Sequence, residues 1–394
     1  MKRLPTTTPA RKTSRATSPM TSGRACTNGP RSSGCWIVMT PPIGVCDVSI
    51  FRVGLSGEFW DSNGNPTYPG VDFSRLEAEP DLEVVRIESD EVATADELAD
   101  LDAFISFECL VPVEALGREP RLAMVSRGSD GYDDMDVEGL ARLGVGYTNA
   151  PTAYDTAVGL VAYTLMLAVT SRLIERVDGA RGGEEAWVAS SYLFGNDPRG
   201  KTLGLLSFGE INKALIRFAA PLGMRLMAWN RTPRPEEIAA LDCTAVDMDT
   251  LFREADVLSV CLPLNEETRH IVSAERIALM KPGAVILNTG RGGLIDEAAL
   301  IAALREGWLG GAGLDVTTHE PIEDDNPLLT MPNVVVTPHS LCMTDRSYGD
   351  AAQEAIGAVL AVKRGEVPGN LVNTAVEDHP AWRTKFETFG SNVT

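Results

Sequence analysis

Short apolar segments alternate with amphipathic segments along the chain from about residue 49 onward. The apolar segments are typical of buried strands, and the segments between them have the spacing of helices. This alternation predicts a parallel sheet covered by helices on both faces. In a first section we predict strands at Ile50–Leu55, Leu82–Ile87, Ala103–Phe107, Leu122–Ser126 and Val145–Thr148, and helices at Phe73–Glu77, Ala95–Asp100, Val113–Leu116 and Val137–Leu143.

A second section repeats the alternation after a long apolar helix, predicted at Thr152–Arg176, and a loop predicted at Trp187–Arg199. The Gly, Asn, Asp and Pro residues of that segment favour a loop. The predicted strands are Thr202–Phe208, Arg225–Asn230, Val257–Cys261, Ala284–Asn288, Gly311–Asp315 and Val334–Thr337, and the predicted helices are Glu210–Pro221, Ala274–Met280, Glu297–Glu306 and Asp350–Arg364. The sequence therefore predicts an α/β protein with two doubly wound parallel sheets.

Composition excludes several classes of function. The 394 residues include 55 acidic and 35 basic ones, for a net charge of −20, and such a surface repels nucleic acid. No apolar run approaches the roughly 20 residues of a membrane span. The seven cysteines are scattered and form no CxxC pair, so we expect reduced thiols in a cytoplasmic protein, with neither disulfides nor a metal site.

Residues 1–46 differ from the rest of the chain. They carry seven Lys or Arg and no acidic residue, and they are rich in Ser, Thr and Pro. Too little apolar surface is present to pack, so we predict a disordered basic tail. The composition matches a transit peptide, but a start assigned too early, with Met20 or Met39 as the true start, is the interpretation we favour because no amphipathic helix is evident.

A tight turn follows the first strand of the second section. Its sequence, Ser207-Phe208-Gly209-Glu210-Ile211-Asn212, leads into a helix, and the next strand ends about 20 residues later at Asn230. A dinucleotide-binding βαβ unit has this order, with the pyrophosphate at the amides of the helix N-terminus. The G-x-G-x-x-G fingerprint is incomplete, because only the middle glycine, Gly209, is present.

Polar residues also follow the later strands of this section. Arg291 follows one strand in the run Asn-Thr-Gly-Arg-Gly-Gly, Glu320 comes shortly after the next, and His339 follows the last in Thr-Pro-His. Ligands of open parallel sheets bind at the carboxyl ends of the strands. An Arg, a Glu and a His at this edge could form an acid–base site for an anionic substrate.

The run ILNTGRGGLIDEAALIAALREGWLGGAGLDV, followed by EP, DNPLL and PNVVVTPH, resembles the D-isomer-specific 2-hydroxyacid dehydrogenases, and the resemblance extends over about residues 48–375. It implies a Rossmann NAD(P)-binding domain inserted in a flavodoxin-like substrate domain. The implied segments are the substrate domain at 47–150, the Rossmann domain at 151–340, and the return to the substrate domain at 341–394.

The same resemblance implies a catalytic set and a reaction. Arg291 would bind the substrate carboxylate and polarise the ketone of a 2-oxoacid. His339 would donate the proton, and Glu320 would orient the imidazole and favour its charged form. Backbone amides in the run Arg-Gly-Ser-Asp-Gly-Tyr-Asp, residues 127–133, would also hold the carboxylate, which nominates Asp130 and Gly131.

The cofactor edge that the resemblance implies comprises Gly209, Glu210, Ile211, Asn230, Arg231, Thr232, Cys261, Leu262, Pro263, Thr268, Thr289, Gly290 and Asp315. Ser207 and Asn212 replace small residues of the turn, and Glu210 adds negative charge beside the pyrophosphate, so we expect weakened dinucleotide binding. An Asn and an Arg stand where NAD-specific relatives have an acid. They favour NADP over NAD, because an acid would repel a 2′-phosphate.

Two classes of function stay open on this sequence. The first is an NAD(P)-dependent D-2-hydroxyacid dehydrogenase that mainly reduces 2-oxoacids, such as a hydroxypyruvate or glyoxylate reductase. The second is a catalytically weakened NAD(P)-binding regulatory protein on the same fold. The long helix at Thr152–Arg176 is apolar on several faces, and the family dimerises, so we expect a homodimer that buries this helix.

Overall fold

A computed structural model describes residues 50–391, so the predictions for the tail at 1–46 lie outside the described residues. The first sheet has five parallel strands in the order β2-β1-β3-β4-β5. Its elements in chain order are β1 (Phe51–Leu55), α1 (Ser74–Glu77), β2 (Leu82–Arg86), α2 (Ala95–Leu98), β3 (Ala103–Ser106), β4 (Met124–Arg127), α3 (Val137–Arg142) and β5 (Gly146–Thr148). The central strand β3 is buried at every position, as its apolar sequence predicts.

Three helices follow the first sheet: α4 (Asp155–Thr170), α5 (Leu173–Arg181) and α6 (Glu184–Ser191). The prediction of one helix over Thr152–Arg176 is wrong, because Arg172 has a left-handed backbone with φ of 55° and pairs with Glu175 at the start of α5. The prediction of a loop over Trp187–Arg199 is wrong for its first part, which forms most of α6.

The second sheet has seven strands in the order β12-β11-β10-β9-β6-β7-β8, all parallel, which is a Rossmann arrangement. Its elements are β6 (Thr202–Leu206), α7 (Glu210–Ala219), β7 (Arg225–Trp229), α8 (Pro235–Ala239), β8 (Cys243–Ala245), α9 (Met248–Glu254), β9 (Val257–Val260), α10 (Ala274–Leu279), β10 (Val285–Asn288), α11 (Glu297–Arg305), β11 (Gly311–Leu314) and β12 (Val334–Val336). Helix α4 covers this sheet, and its Leu165 and Met166 share a core with Leu203 and Leu205 of β6.

The chain then returns to the first sheet through α12 (Ser347–Lys363) and α13 (Pro380–Ser391). Ile356 and Val359 of α12 lie in the same core as Phe51 and Val53 of β1. The first sheet therefore draws its covering helices from both ends of the described chain. No single helix among residues 50–391 is long and apolar enough to cross a membrane, and α4 with α5 meets that length and composition only as a pair bent by 59°.

Candidate active site

Loops from the two sheets meet at the carboxyl ends of their strands. The loop after β4 carries Asp130 and Gly131, and the loop after β10 carries Arg291. A Cβ atom on Gly131 would overlap with Nη2 of Arg291, so a larger residue there would displace the guanidinium from its present position. The structure thus brings the two parts of the sequence-predicted substrate site into contact.

The backbone of the Arg291 loop is fixed by its own residues. Asn288 at the end of β10 accepts from the amide of Gly290 at 3.1 Å and donates to the carbonyl of Arg291 at 2.9 Å. A Cβ atom on Gly292 would overlap with the backbone of Thr317, which follows β11. Gly292 therefore allows the loop to pack against neighbouring backbone, and the guanidinium of Arg291 contacts Asp133 of the first sheet's loop.

Glu320 and His339 form an ion pair next to Arg291. Nδ1 of His339 lies 2.9 Å from Oε2 of Glu320, and the other carboxylate oxygen accepts from the amide of Thr317 at 3.0 Å. His339 has φ of 50°, in the left-handed region, directly after β12 and Pro338. Because Nδ1 is occupied by Glu320, Nε2 is the ring nitrogen left to exchange a proton with a ligand.

The electrostatics of this pair suit a proton donor. The hydrogen bond with Glu320 raises the pKa of His339 above its ordinary value, although burial and the charge of Arg291 oppose the shift. Burial raises the pKa of Glu320, but the hydrogen bonds from His339 and Thr317 outweigh it, so the net shift is downward. The pair is therefore held as carboxylate and imidazolium to a higher pH than a free histidine would allow.

Replacing Glu320 with Gln should move the pH dependence of catalysis in a defined direction. Reduction needs the protonated imidazole, so its rate should fall as pH rises through the pKa of His339, and oxidation should show the opposite trend. Gln keeps a hydrogen-bonding group but removes the charge, so the alkaline limb of reduction should shift to lower pH. The measurement is kcat/KM for both directions across pH, with Glu323→Gln as the control because Glu323 lies near His319 instead. An unchanged limb in Glu320→Gln would contradict this pairing.

The turn between β6 and α7 is closed by the residues that differ from the glycine fingerprint. Ser207 has φ of 119°, and its hydroxyl donates to the carbonyl of Cys261. The buried side chain of Asn212 donates to the carbonyl of Ser207 at 3.1 Å and accepts from Ser259 Oγ at 2.9 Å. The side chains that replace glycine therefore join the turn to β9 by hydrogen bonds.

The amino end of α7 can accept an anion. A Cβ atom on Gly209, the residue before the helix, would meet no atom within 4 Å, so the backbone faces open space there. The first amides of the ten-residue helix lie at its positive end. The exposed side chain of Glu210 pairs with Lys213 at 2.6 Å, which offsets its negative charge. This end of the helix, with Ile211 in its first turn, fits a dinucleotide pyrophosphate.

The segment after β7 contains the residues predicted to face the ribose. Asn230 accepts from the amide of Phe208 at 3.1 Å and donates to the carbonyl of Thr232 at 2.7 Å, so its side chain also fixes the glycine turn. Arg231 is exposed and pairs with Glu267 at 3.0 Å. The sequence did not predict this contact of Phe208, although Phe208 lies inside the turn motif.

The remaining nominated residues follow β9, β10 and β11. Thr268 donates to the carbonyl of Pro263 at 2.7 Å and accepts from the amide of Asn265, so it holds its own loop together. Asp315 is buried and accepts from Thr337 Oγ1 at 2.6 Å. Burial raises the pKa of the Cys261 thiol to about 12. Cys261, Leu262, Pro263, Thr289, Gly290 and Asp315 thus all follow strand ends at one edge of the sheet.

Two acidic side chains that the sequence did not single out, Asp155 and Glu354, act on Asp130 through their charges. Burial raises the pKa of Asp155, in the first turn of α4, to about 6, and the charges of Asp130, Glu210 and Glu354 add to the shift. Burial and Glu354 also raise the pKa of Asp130, while Arg291 opposes them. Asp130 thus interacts electrostatically with Arg291, and Asp155 and Glu354 interact with Asp130, so three acidic groups lie on this side of the site.

The chain is similar in sequence to known proteins. Residues 163–340 match the family described as D-isomer specific 2-hydroxyacid dehydrogenase, NAD binding domain. A glyoxylate reductase of Thermococcus litoralis is 37% identical over 271 residues, which are 68% of this chain and 81% of the relative. A glyoxylate/hydroxypyruvate reductase B of Pectobacterium carotovorum is 37% identical over 280 residues, 71% of this chain and 88% of the relative.

Solved structures show the same fold. The TT0316 protein of Thermus thermophilus is similar with a TM-score of 0.70 and 34% identity, over 82% of this chain and 100% of that chain. A glyoxylate reductase of Paecilomyes thermophila is similar with a TM-score of 0.70 and 26% identity, over 82% of this chain and 98% of that chain.

Proposed function

The chain belongs to the D-isomer specific 2-hydroxyacid dehydrogenases, which are nicotinamide-dependent oxidoreductases, and we propose that it acts as a reductase of small 2-oxoacids with Arg291, Glu320 and His339 as its catalytic set. The observation that carries the proposal is the ion pair of His339 with Glu320 at 2.9 Å beside Arg291. A nicotinamide dinucleotide, when bound, supplies a hydride to C2 of the oxoacid. The amino end of α7 and the residues Asn230, Arg231 and Thr232 would hold it.

Each residue of the set has a separate task in this proposal. Arg291 binds the substrate carboxylate with two N–H groups and polarises the ketone. Gly131 leaves room for that contact, and the amides of Asp130 and Gly131 complete the carboxylate site. His339 delivers a proton from Nε2 to the oxygen of C2, and Glu320 keeps the ring charged and oriented until transfer.

We propose glyoxylate and hydroxypyruvate as the substrate class, because Asp130, Asp155 and Glu354 make the cleft negative. The acidic side chains would repel a second negative charge on the substrate. One such like-charge contact costs on the order of 1 kcal/mol or more when solvent is partly excluded. Monoanionic oxoacids should therefore be reduced well and phosphohydroxypyruvate poorly. The names of the relatives in the comparisons, glyoxylate and hydroxypyruvate reductases, support the same class.

The test is a steady-state assay of glyoxylate, hydroxypyruvate and phosphohydroxypyruvate, each with NADPH and with NADH. We expect kcat/KM for the two monoanions to exceed that for phosphohydroxypyruvate by about tenfold or more, the equivalent of about 1.4 kcal/mol. Equal values for all three would contradict the proposed substrate class. Absence of turnover with every pair, in folded protein, would contradict the proposed function.

We propose NADP(H) as the preferred cofactor, because Asn230, Arg231 and Thr232 follow β7 where an NAD-specific relative has an acid. Arg231 is exposed, and its present partner Glu267 is equally exposed, so a 2′-phosphate can compete for the guanidinium. The assay above should give a KM for NADPH below that for NADH. The reverse order would assign the enzyme to NAD(H).

A regulatory protein without activity is not favoured. The Arg, Glu and His residues lie together, and the altered glycine turn is closed by its own hydrogen bonds.

We also propose a cytoplasmic location. The four described cysteines, Cys109, Cys243, Cys261 and Cys342, are free thiols, which supports this proposal.

We propose a homodimer whose interface is formed by other residues than the long apolar helix predicted from the sequence. Helix α4 is mostly buried against its own second sheet, so it does not need a partner for that purpose. Among the described residues, six exposed large apolar side chains lie on α5, on α6 and in the segment after it, and they are Leu173, Ile174, Trp187, Val188, Tyr192 and Phe194. A surface of this kind is typical of an interface between subunits. Sedimentation velocity should give a dimer, and a monomer at micromolar concentration would contradict it.

A further inference from the structure

The guanidinium of Arg291 is held by an acid from the other sheet. Asp133, in the loop after β4, accepts from Nε of Arg291, with its two oxygens at 2.9 Å and 3.2 Å. Nη2 of Arg291 lies 2.9 Å from the nearer of these oxygens. The carboxylate therefore lies against the edge of the guanidinium formed by Nε and Nη2.

This arrangement leaves a defined set of donors free. An arginine side chain has about five N–H groups in a fixed fork. Asp133 accepts the hydrogen on Nε, the carbonyl of Gly290 accepts one from Nη1 at 2.9 Å, and Nη2 is in ion-pair contact with Asp133. At least one hydrogen therefore remains on each of Nη1 and Nη2. Two parallel N–H groups on neighbouring nitrogens match the two oxygens of a carboxylate.

We propose that Asp133 is a positioning residue that fixes the Arg291 guanidinium so that its free Nη1 and Nη2 edge faces the substrate carboxylate, an inference that rests on the proposed role of Arg291 in binding the oxoacid. The effect of Asp133 on the reaction passes through the orientation of Arg291.

The charge of Asp133 is available for this task. Partial burial raises the pKa of Asp133, but the hydrogen bonds and the charge of Arg291 lower it by more. The net shift is downward, so the carboxyl group is ionised at neutral pH. The two side chains are 46% and 30% exposed, and exposed ion pairs contribute little to folding stability. A contact of this kind, bridging two sheets, acts on geometry more than on stability.

The neighbouring acids do not share this contact. Asp134, the next residue, pairs with Arg127 inside the first sheet's own loops. Asp130 acts on Arg291 through its charge, and no hydrogen bond joins the two among the described residues. Asp133 is therefore the acid whose removal should release the guanidinium from its present orientation.

The experiment compares Asp133→Ala and Asp133→Asn with the wild type, using glyoxylate as substrate and oxamate as an unreactive analogue. Asp133→Ala should lower kcat/KM for glyoxylate by about 10- to 100-fold, the size expected when a binding group is misplaced by about 1 Å. The KM for glyoxylate and the Kd of oxamate, measured by calorimetry on the enzyme–cofactor complex, should both rise. Asp133→Asn keeps one acceptor oxygen, so its KM for glyoxylate and its Kd for oxamate should lie between those of the wild type and Asp133→Ala.

A charge-matched control is Glu138→Gln, since Glu138 is exposed at the start of α3 in the same segment. The Kd of the cofactor and the melting temperature should stay close to wild type in all variants. If Asp133 served only the stability of the fold, its replacement would change the Kd of the cofactor and the melting temperature. The ratio of KM to kcat for glyoxylate would then stay at the wild-type value.

The outcomes separate this inference from the proposed function. If Asp133→Ala and Asp133→Asn bind oxamate and glyoxylate within about threefold of wild type, the positioning role is refuted while the proposed function stands. If the wild type itself binds neither compound, the proposed function is refuted. Should Asp133→Ala fail to fold, the loss of stability would refute a role in geometry alone, and Asp133→Asn would still measure the effect on KM.

Discussion

Replacing His339 with Ala should lower kcat for 2-oxoacid reduction by about 100-fold or more, the usual contribution of a positioned general acid. Oxidation of the 2-hydroxyacid should fall by a similar factor, because the same imidazole removes the proton in that direction. The ring is joined to Glu320 through Nδ1, so its loss removes the proton donor and leaves the α7 end of the cofactor site untouched. The Kd of His339→Ala for NADPH should therefore stay close to that of the wild type.

A second histidine serves as the control for this variant. His319 is exposed and lies 3.7 Å from Glu323, so His319→Ala should keep a kcat close to wild type. Stopped-flow or steady-state assays at a pH below the alkaline limb would compare the two. If His339→Ala keeps a kcat within a few-fold of wild type, another group donates the proton, and the fold assignment stands without this mechanism.

Arg291→Lys should lower kcat/KM for glyoxylate by about 10- to 100-fold, because charge-assisted hydrogen bonds are worth about 1.5–3 kcal/mol and a tenfold change is about 1.4 kcal/mol. A lysine ammonium is a point charge on a flexible stem. It can replace neither the Nε–H group that Asp133 accepts nor the pair of N–H groups left for the substrate. The charge is preserved, so the result measures geometry.

The matched control is Arg305→Lys, an exposed position at the end of α11. It should leave both kinetic constants near wild type. A KM and a kcat for Arg291→Lys that stay within about threefold of wild type would show that the oxoacid is bound elsewhere.

Eleven of the twelve described strands were predictable, because most of them are short runs rich in apolar residues. The segments that sequence reasoning missed are weaker in this respect. Strand β8 has three residues, two of them exposed, and α8 and α9 are only five and seven residues long. The break in the predicted long helix depends on the left-handed backbone of Arg172, which its apolar flanks do not reveal.

The candidate site was predictable where its residues lie next to strand ends in a recognisable motif, as for Arg291, Glu320 and His339. Contacts between distant parts of the chain were not. Asp133 and Arg291 are 158 residues apart, and only the packing of the two sheets brings them together. The hydrogen bonds of Asn212 to Ser207 and Ser259 likewise compensate for missing glycines in a way that residue types alone did not indicate.

The most direct test of 2-oxoacid reduction by this protein is the fate of a labelled hydride. Purified protein would be incubated with hydroxypyruvate and NADPH in which both hydrogens at C4 of the nicotinamide are deuterium, and the glycerate formed would be analysed for configuration and for isotope position. We expect D-glycerate that carries deuterium at C2. L-glycerate, deuterium absent from C2, or no consumption of cofactor by the folded protein would contradict the proposed reaction.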